Sequence, residues 1–120
     1  MIIQNIFFDE NGTIVDSDEI IFPLSVLDSK NVGENFPLID SILPQLQAMK
    51  SRSSEMFFPR VEVVFKHLDG IYDYTFRRIE KNGKNLIQWK LCDRTNHYLF
   101  QKSNQQSLQE EQINQHFTFK

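Results

Sequence analysis

The fold is decided by residues 71–93, which read IYDYTFRRIEKNGKNLIQWKLCD. Two runs of alternating side chains, 71–79 and 85–93, flank the pair Asn82-Gly83. Alternation with a period of two predicts a β-strand with one buried face. Asn-Gly favours a tight turn because both residues tolerate positive φ. The stretch therefore predicts an antiparallel hairpin, and its buried face should carry Tyr72, Tyr74, Phe76, Ile87, Trp89 and Leu91.

Three further strands are predicted upstream of this hairpin. Residues 2–8 form a β-branched and aromatic run, and Asn11-Gly12 joins them to a short run at 13–15. Residues 58–66 alternate again and lead into a turn at 67–70. The sequence thus predicts five strands, which we expect to pair as an antiparallel sheet.

The segment after the second strand carries signals of a helix start. Ser17 or Asp18 is a typical N-cap residue, and the apolar residues 20–22 could form one helical turn. Residues 24–36 contain Asn31, Gly33 and Asn35, which break regular structure, and are expected to be irregular.

Two prolines mark the helical part of the chain. Pro37 and Pro44 each suit the first turn of a helix. Apolar residues recur at helical spacing after both, so we expect a short helix at 37–42 and a longer one at 44–52. The predicted fold class is therefore α+β, with a five-stranded antiparallel sheet, short helices on one face and a C-terminal exit helix.

The exit helix is predicted from Thr95 to about His116. This segment lacks Gly and Pro, is rich in Gln, and has a mostly polar heptad stripe. Thr95 could cap its first turn. We expect a solvent-facing helix that is weakly suited to pairing with a second copy.

Composition restricts the class of protein. The chain has 120 residues, a net charge of −3 and 40% hydrophobic residues, which suits one globular domain. A mildly acidic domain disfavours nucleic acid as a partner. The single cysteine, Cys92, excludes an intrachain disulfide. No apolar run is long enough for a membrane span and no secretory signal is visible, so we expect a cytoplasmic protein.

Residues of catalytic or metal-binding type show no recognisable constellation. The histidines His67, His97 and His116 lack metal-ligand spacing. Cys92 lies on a predicted strand, where a packing role is expected. Asp69 lies close to His67, but no nucleophile or oxyanion pattern accompanies them. We expect no catalytic residues, no metal and no enzyme activity.

A small-molecule pocket is the most specific site that the residues allow. Aromatic and apolar side chains predicted to lie between the helices and the sheet could line it. These candidates are Phe36, Ile42, Leu46, Tyr72, Tyr74 and Trp89. The simpler alternative is that they form plain hydrophobic core.

The chain resembles the PAS domain, a small sensor module of bacterial signalling proteins. Phe8–Val15 resembles the opening hairpin of that family, and Gly33–Phe36 its step into the central helices. The ending, Trp89–Thr95, is similar to the last strand and its terminal D-x-T, here Asp93 and Thr95. In the family this triplet joins the sheet to an output helix.

The resemblance implies a sensory role. Residues 1–95 would form the sensor domain and 96–120 a signalling helix with its tail. Ligand or partner binding would shift the strand end at Asp93 and the helix after Thr95, in a homodimer formed through the helix or the sheet face. The output would be an effector such as a histidine kinase of a two-component system, or a nucleotide cyclase.

The resemblance also bears on cofactors. Haem-binding relatives use a histidine on the central helix, and residues 37–52 contain none. Flavin-binding light sensors carry an N-C-R-F-L-Q stretch, which is absent here. We therefore expect no cofactor.

Two other functions remain open. The first is a small cone-shaped isomerase or dehydratase, which would need an inward Asp–His or Asp–Tyr pair in a deep cavity. The second is a dimerisation domain without a ligand.

Overall fold

Five strands form one antiparallel sheet in the computed structural model, which describes residues 2–49, 54–64 and 69–101. The strands are β1 Ile3–Phe8, β2 Ile14–Ser17, β3 Glu55–Val63, β4 Gly70–Lys81 and β5 Lys84–Asp93. Their order across the sheet is β2-β1-β5-β4-β3, and every neighbouring pair is antiparallel. The first and last strands of the chain thus lie side by side, and the predicted sheet is confirmed.

The helices lie between β2 and β3 and after β5. They are a single 3-10 turn at Leu24–Val26, α1 at Val32–Asn35, α2 at Pro37–Ala48, and a C-terminal helix, α3, described over residues 95–101. Since β2 and β3 are opposite edges of the sheet, the chain between them must cross one face. The predicted α+β class is therefore confirmed.

The core lies between this face and the helices. The sheet contributes the faces predicted from alternation, and the segment with α1 and α2 contributes buried apolar side chains. Among these residues are Ile6, Phe8, Tyr72, Tyr74, Phe76, Ile87, Trp89 and Leu91 from the sheet, Val32, Ile39 and Leu46 from the helices, and Phe36 between the two helices. Trp89 is at the centre, with its ring edge-on to Phe36 at 4.9 Å and to Tyr74 at 5.1 Å. Edge-on packing suits the quadrupoles of aromatic rings.

Both Asn-Gly turns connect antiparallel strands, but they differ in geometry. Asn82 (φ 54°) and Gly83 (φ 77°) are both left-handed, as a two-residue hairpin requires. In the first hairpin Gly12 alone has positive φ, 87°. There the carboxylate of Asp9 accepts hydrogen bonds from the backbone of Asn11 (2.9 Å) and Thr13 (3.0 Å), which stabilises a longer turn.

The predicted helix start at Ser17 or Asp18 is wrong. Ser17 ends β2, and Glu19 adopts a left-handed φ of 53°. Residues 20–22 are not helical, and Gln4 holds the backbone of the last two. Its Oε1 accepts from the amides of Ile21 (2.7 Å) and Phe22 (2.8 Å).

The expectation of irregular structure over 24–36 holds for residues 27–31 but is wrong for the 3-10 turn at Leu24–Val26 and for α1. Asn31, which was expected to break structure, is the N-cap of α1. Its Oδ1 accepts from the amides of Gly33 (2.9 Å) and Glu34 (3.2 Å). Its Nδ2 donates to the carbonyl of Asn11 at 3.0 Å, so the same side chain ties α1 to the first hairpin.

The two helices expected at 37–42 and 44–52 are one helix, α2, which contains Pro44. Pro44 has no N–H to give the carbonyl of Asp40, and an interior proline normally bends or breaks a helix. Asp40 and Pro44 are both exposed, so water can solvate the freed carbonyl. Pro37 occupies the first turn as predicted, and residues 50–52 lie outside the described part of the chain.

Strand β3 begins earlier than predicted and is irregular. It is an edge strand, so Pro59 deletes no ladder hydrogen bond to a second neighbour. Its register with β4 shifts between Phe58 and Val61, and Arg60 there has a φ of 57°. The predicted residues 65–66 and the turn residues 67–68 lie outside the described part of the chain.

Gln4 is fully buried and uses its whole side-chain amide. Besides accepting two amide hydrogen bonds, it donates to Ser17 Oγ at 2.9 Å and to the carbonyl of Phe22 at 3.1 Å. Buried polar groups that lose their partners are costly. We expect Gln4→Leu to lower the free energy of unfolding by about 3 kcal/mol, measured by urea denaturation.

The matched control is Gln45→Leu, at an exposed position on α2. It should change the free energy of unfolding by no more than about 0.5 kcal/mol. Equal losses for the two variants would contradict a structural role for the Gln4 amide.

Candidate functional site

A cleft of about 430 Å³ opens between the start of α2 and the edge strand β3. This volume is within the range of small-molecule sites. Its walls are formed by Asn35, Phe36, Pro37, Leu38, Val61, Glu62, Val63, Val64 and Tyr74. Phe36 reaches it because the chain is extended at this residue (φ −128°, ψ 99°), between α1 and α2.

The walls of the cleft are mainly apolar. Asn35 is buried and already engaged, since its Oδ1 accepts from the amide of Asp28 (2.9 Å) and its Nδ2 donates to the carbonyl of Asn31 (2.8 Å). Burial raises the pKa of Tyr74 well above its ordinary value, so its hydroxyl remains protonated. Glu62 is the ionisable carboxylate in the wall and is exposed. The apolar side chains of the cleft therefore suit an apolar portion of a small molecule.

All six predicted pocket residues lie in the core cluster or pack against it, and two of them also line the cleft. Phe36 and Tyr74 line the cleft. The other four candidates, Ile42, Leu46, Tyr72 and Trp89, pack in the core cluster. Leu46 also borders a separate space of about 10 Å³, enough for roughly one water molecule.

Trp89 connects the cleft to the core. It is fully buried, and its Nε1 has no hydrogen-bond partner among the described residues. Phe36 and Tyr74 each contact the Trp89 ring and also line the cleft. A change in either ring would therefore reach the centre of the sheet.

The predicted signal-transfer residues, Asp93 and Thr95, lie where β5 becomes α3. Asp93 Oδ1 accepts from the Thr95 backbone amide (3.0 Å) and from its hydroxyl (2.7 Å). The Thr95 hydroxyl oxygen accepts from the amide of Ile71 at 3.0 Å. Asp93 thus takes the capping role expected of Thr95, and Thr95 instead joins the helix to β4.

Close packing at this junction requires a glycine. A Cβ added at Gly70 would lie 2.7 Å from Thr95 Oγ1 and 3.0 Å from the hydroxyl of Tyr72. Burial, and then the charges of Asp93 and Asp69, raise the pKa of Tyr72. The aromatic core and the junction are therefore in direct contact through β4.

Four residues of the junction were not identified from sequence. Asp73 accepts at Oδ1 from the hydroxyl of Tyr98 (2.7 Å) and from the backbone amide of Arg60 (3.2 Å). Its Oδ2 pairs with Arg94 Nε at 3.9 Å, and the Arg60 guanidinium lies over the Tyr98 ring at 5.0 Å. Alternation placed Asp73 on the outer face of the sheet, but nothing local to the sequence indicates that α3 packs there.

The outer face also carries a row of polar side chains that crosses the sheet. Arg77 pairs with Glu55 (3.9 Å) and donates to Gln88 (2.9 Å). Gln88 donates to Asn5 (3.0 Å), whose side chain donates to Asp18 (3.2 Å). These groups satisfy one another, so this part of the face is polar.

The remaining chemistry-bearing residues form no cluster in the described part of the chain. Residues 2–49, 54–64 and 69–101 hold no group of three metal-ligand side chains. His97 packs against the Tyr98 ring at 5.3 Å, and burial raises the pKa of Cys92. His67 and His116 lie outside the described residues. Among the described helices, none is both long and apolar enough to cross a membrane.

Comparison with known proteins assigns no family. The chain matches no protein-family model, and no curated protein is significantly similar to it.

The hydroxyl of Thr95 makes a testable contribution to the junction. Thr95→Val keeps the shape but leaves the Ile71 amide without its acceptor, so the free energy of unfolding should fall by about 2 kcal/mol. Urea denaturation measures this loss, and hydrogen exchange should show reduced protection of the Ile71 amide. Thr95→Ser keeps the hydroxyl and should retain that protection; a loss as large as that in Thr95→Val would contradict the role of the hydroxyl.

The tyrosines predict a pH dependence. The hydroxyl pKa values of Tyr72, Tyr74 and Tyr98, the chain's three tyrosines, are all raised above the ordinary 10.0. Burial is the main cause for the first two, and the hydrogen bond to Asp73 for Tyr98. Because the unfolded chain loses these protons first, the tyrosines lower the free energy of unfolding as pH rises through and above their ordinary pKa of 10.0.

Tyrosinate absorbance checks this expectation. The native protein should show no ionisation with the ordinary tyrosine pKa, whereas the chain in urea should titrate normally. A native titration in which one tyrosine in three ionises at the ordinary value would contradict this expectation.

Proposed function

We propose that this chain is a non-catalytic sensory module of the PAS type. It binds a small, largely apolar ligand in the cleft and passes the resulting change to the C-terminal helix. The observation that carries the proposal is the attachment of α3. The start of α3 is hydrogen-bonded to the same β4 strand that supplies Tyr74 to the cleft.

The resemblance to the PAS family supports this proposal. The order of elements predicted from the sequence, which agrees with the resemblance, is present: a hairpin, a helical insert, three strands and an exit helix. The D-x-T residues Asp93 and Thr95 occupy the strand–helix junction and are hydrogen-bonded to each other. The chemistry of this motif thus agrees with a role in joining sheet to helix.

Neighbouring residues of β4 contact the cleft and α3. Tyr72 and Tyr74 face the helices, and Asp73 between them faces the opposite side and bonds Tyr98. A shift of β4 that accommodates a ligand at Tyr74 would therefore move the residue that holds α3. A ligand acts in this way only if it binds the two arrangements with different affinity.

Partners and location form part of the proposal. Leu99 and Phe100 on α3 are 50% and 66% exposed, and such apolar side chains suit a homodimer formed through this helix. The dimer would act in the cytoplasm and control an effector such as a histidine kinase or a nucleotide cyclase. No cofactor or nucleic acid is required.

Protein-observed NMR with a library of small apolar fragments tests the proposal on the full chain. We expect at least one fragment to shift the amides of Val61 and Val63 in the cleft and, in the same titration, that of Tyr98. The variant Leu38→Trp, which fills the cleft from α2, should abolish binding. Ser41→Trp, on the exposed side of the same helix, should not.

Two results would contradict the proposed function. One is the absence of any fragment that binds in the cleft. The other is a fragment that saturates the cleft and leaves the Tyr98 amide unchanged, since binding would then occur without relay.

A further inference from the structure

The bulge in β3 contacts both the cleft and the C-terminal helix. The register of β3 against β4 shifts between Phe58 and Val61, and Arg60 lies within this interval. Its φ of 57° is left-handed, which is uncommon for a residue other than glycine. Such conformations persist where surrounding contacts impose them.

On one side of the bulge the chain enters the cleft. Val61, the residue after Arg60, lines the cleft together with Glu62, Val63 and Val64. A molecule bound there would contact the strand directly after its irregular residue. Any change in the position of Val61 must therefore alter the backbone at Arg60.

On the other side Arg60 contacts the attachment of α3. Its backbone amide donates to Asp73 Oδ1 at 3.2 Å, the same oxygen that accepts from the Tyr98 hydroxyl. Its guanidinium lies 5.0 Å from the centre of the Tyr98 ring, a cation–π distance. One residue thus contacts both groups of the Tyr98–Asp73 hydrogen bond.

We propose that Arg60 is a positioning residue that couples occupancy of the cleft to the docking of α3 on the sheet. The inference rests on the proposed function and names the route by which it works. A ligand displaces Val61, the bulge changes conformation, and the Arg60 guanidinium leaves the Tyr98 ring. The helix is then held by fewer contacts and its first turns loosen.

The position of β3 makes it the compliant part of this route. It is the edge strand of the sheet, and its ladder with β4 is interrupted at the bulge. Strand β5, which carries Asp93, is hydrogen-bonded on both sides, to β1 and β4. Elements with fewer and interrupted backbone hydrogen bonds rearrange at lower free-energy cost.

In the test, a larger side chain introduced by substitution fills the cleft in place of a ligand. Leu38→Trp fills the cleft from the α2 wall, so its effect on α3 has to pass through the sheet. The readout is the hydrogen-exchange rate of the Tyr98 amide, which bonds the carbonyl of Arg94 at 3.0 Å, relative to the amide of Leu91 in the core. We expect Leu38→Trp to raise this ratio about tenfold, a coupling of about 1.4 kcal/mol, and Ser41→Trp to leave it unchanged.

The same comparison is made in two further backgrounds. In Arg60→Ala the effect of Leu38→Trp should fall below about twofold, because the guanidinium is missing. In Arg60→Lys a cation remains near the ring, and the effect should return in part. The titration of the Tyr98 hydroxyl shows in each background whether the bond to Asp73 is still present.

The outcomes separate the inference from the function on which it rests. If the effect is undiminished in Arg60→Ala, or if Arg60→Ala alone detaches Tyr98, Arg60 is not the coupling residue, although the proposed function stands. If Leu38→Trp shifts the Val61 and Val63 resonances but has no effect at Tyr98 in the parent chain, the proposed function itself fails. Leu38→Phe, a smaller change, replaces Leu38→Trp if the larger side chain unfolds the protein.

Discussion

The pairing of β1 with β5 is the constraint on which the rest of the structure depends. These strands come from opposite ends of the described chain, and Ile6 lies opposite Trp89 in their register. Once they occupy the centre of the sheet, β2 and β3 become its opposite edges, and the segment between them has to cross one face. The pairing of β1 with β5 therefore determines the position of the helices, which cover the core and form one wall of the cleft. The amide of Asp93 extends this pairing to the carbonyl of Ile2 at 2.9 Å, directly before α3 begins.

This arrangement divides the molecule into a firm centre and a more compliant edge. The centre combines strands paired on both sides with the aromatic rings around Trp89, and close packing there transmits small displacements. The cleft lies at the β3 edge, where the ladder is interrupted and one wall comes from α2. The β3 wall of the cleft can therefore change shape more readily than the wall formed by Phe36 and Tyr74, which belong to the core. The proposed sensory role uses this division, because the ligand acts on the edge while the centre fixes the point at which α3 leaves the sheet.

Polar side chains position the segments of the fold whose conformation apolar packing does not determine. Gln4 fixes the segment after β2, Asn31 ties α1 to the first hairpin, and Asp73 joins three elements at the start of α3. Each uses more than one hydrogen-bonding site and bonds partners distant in sequence. Such groups favour one arrangement of the chain over others, since a buried polar group without its partners is costly. The attachment of α3 is of this kind, and the proposed relay requires that it can be broken without unfolding the domain.

The sequence by itself determined the strands, the two Asn-Gly connections and the aromatic face of the sheet, because alternation and turn preference act within a few residues. Residues 71–93 needed no other part of the chain to be interpreted correctly. Four features were decided only by the tertiary structure: the loss of a helix at Ser17, the continuity of α2 through Pro44, the bulge at Arg60 and the contact of Tyr98 with Asp73. For the same reason Phe36 and Tyr74 line the cleft, whereas Ile42, Leu46, Tyr72 and Trp89 pack in the core. In each case the conformation depends on a contact with a buried amide, with solvent or with another strand. No local sequence pattern specifies which of these a side chain will contact.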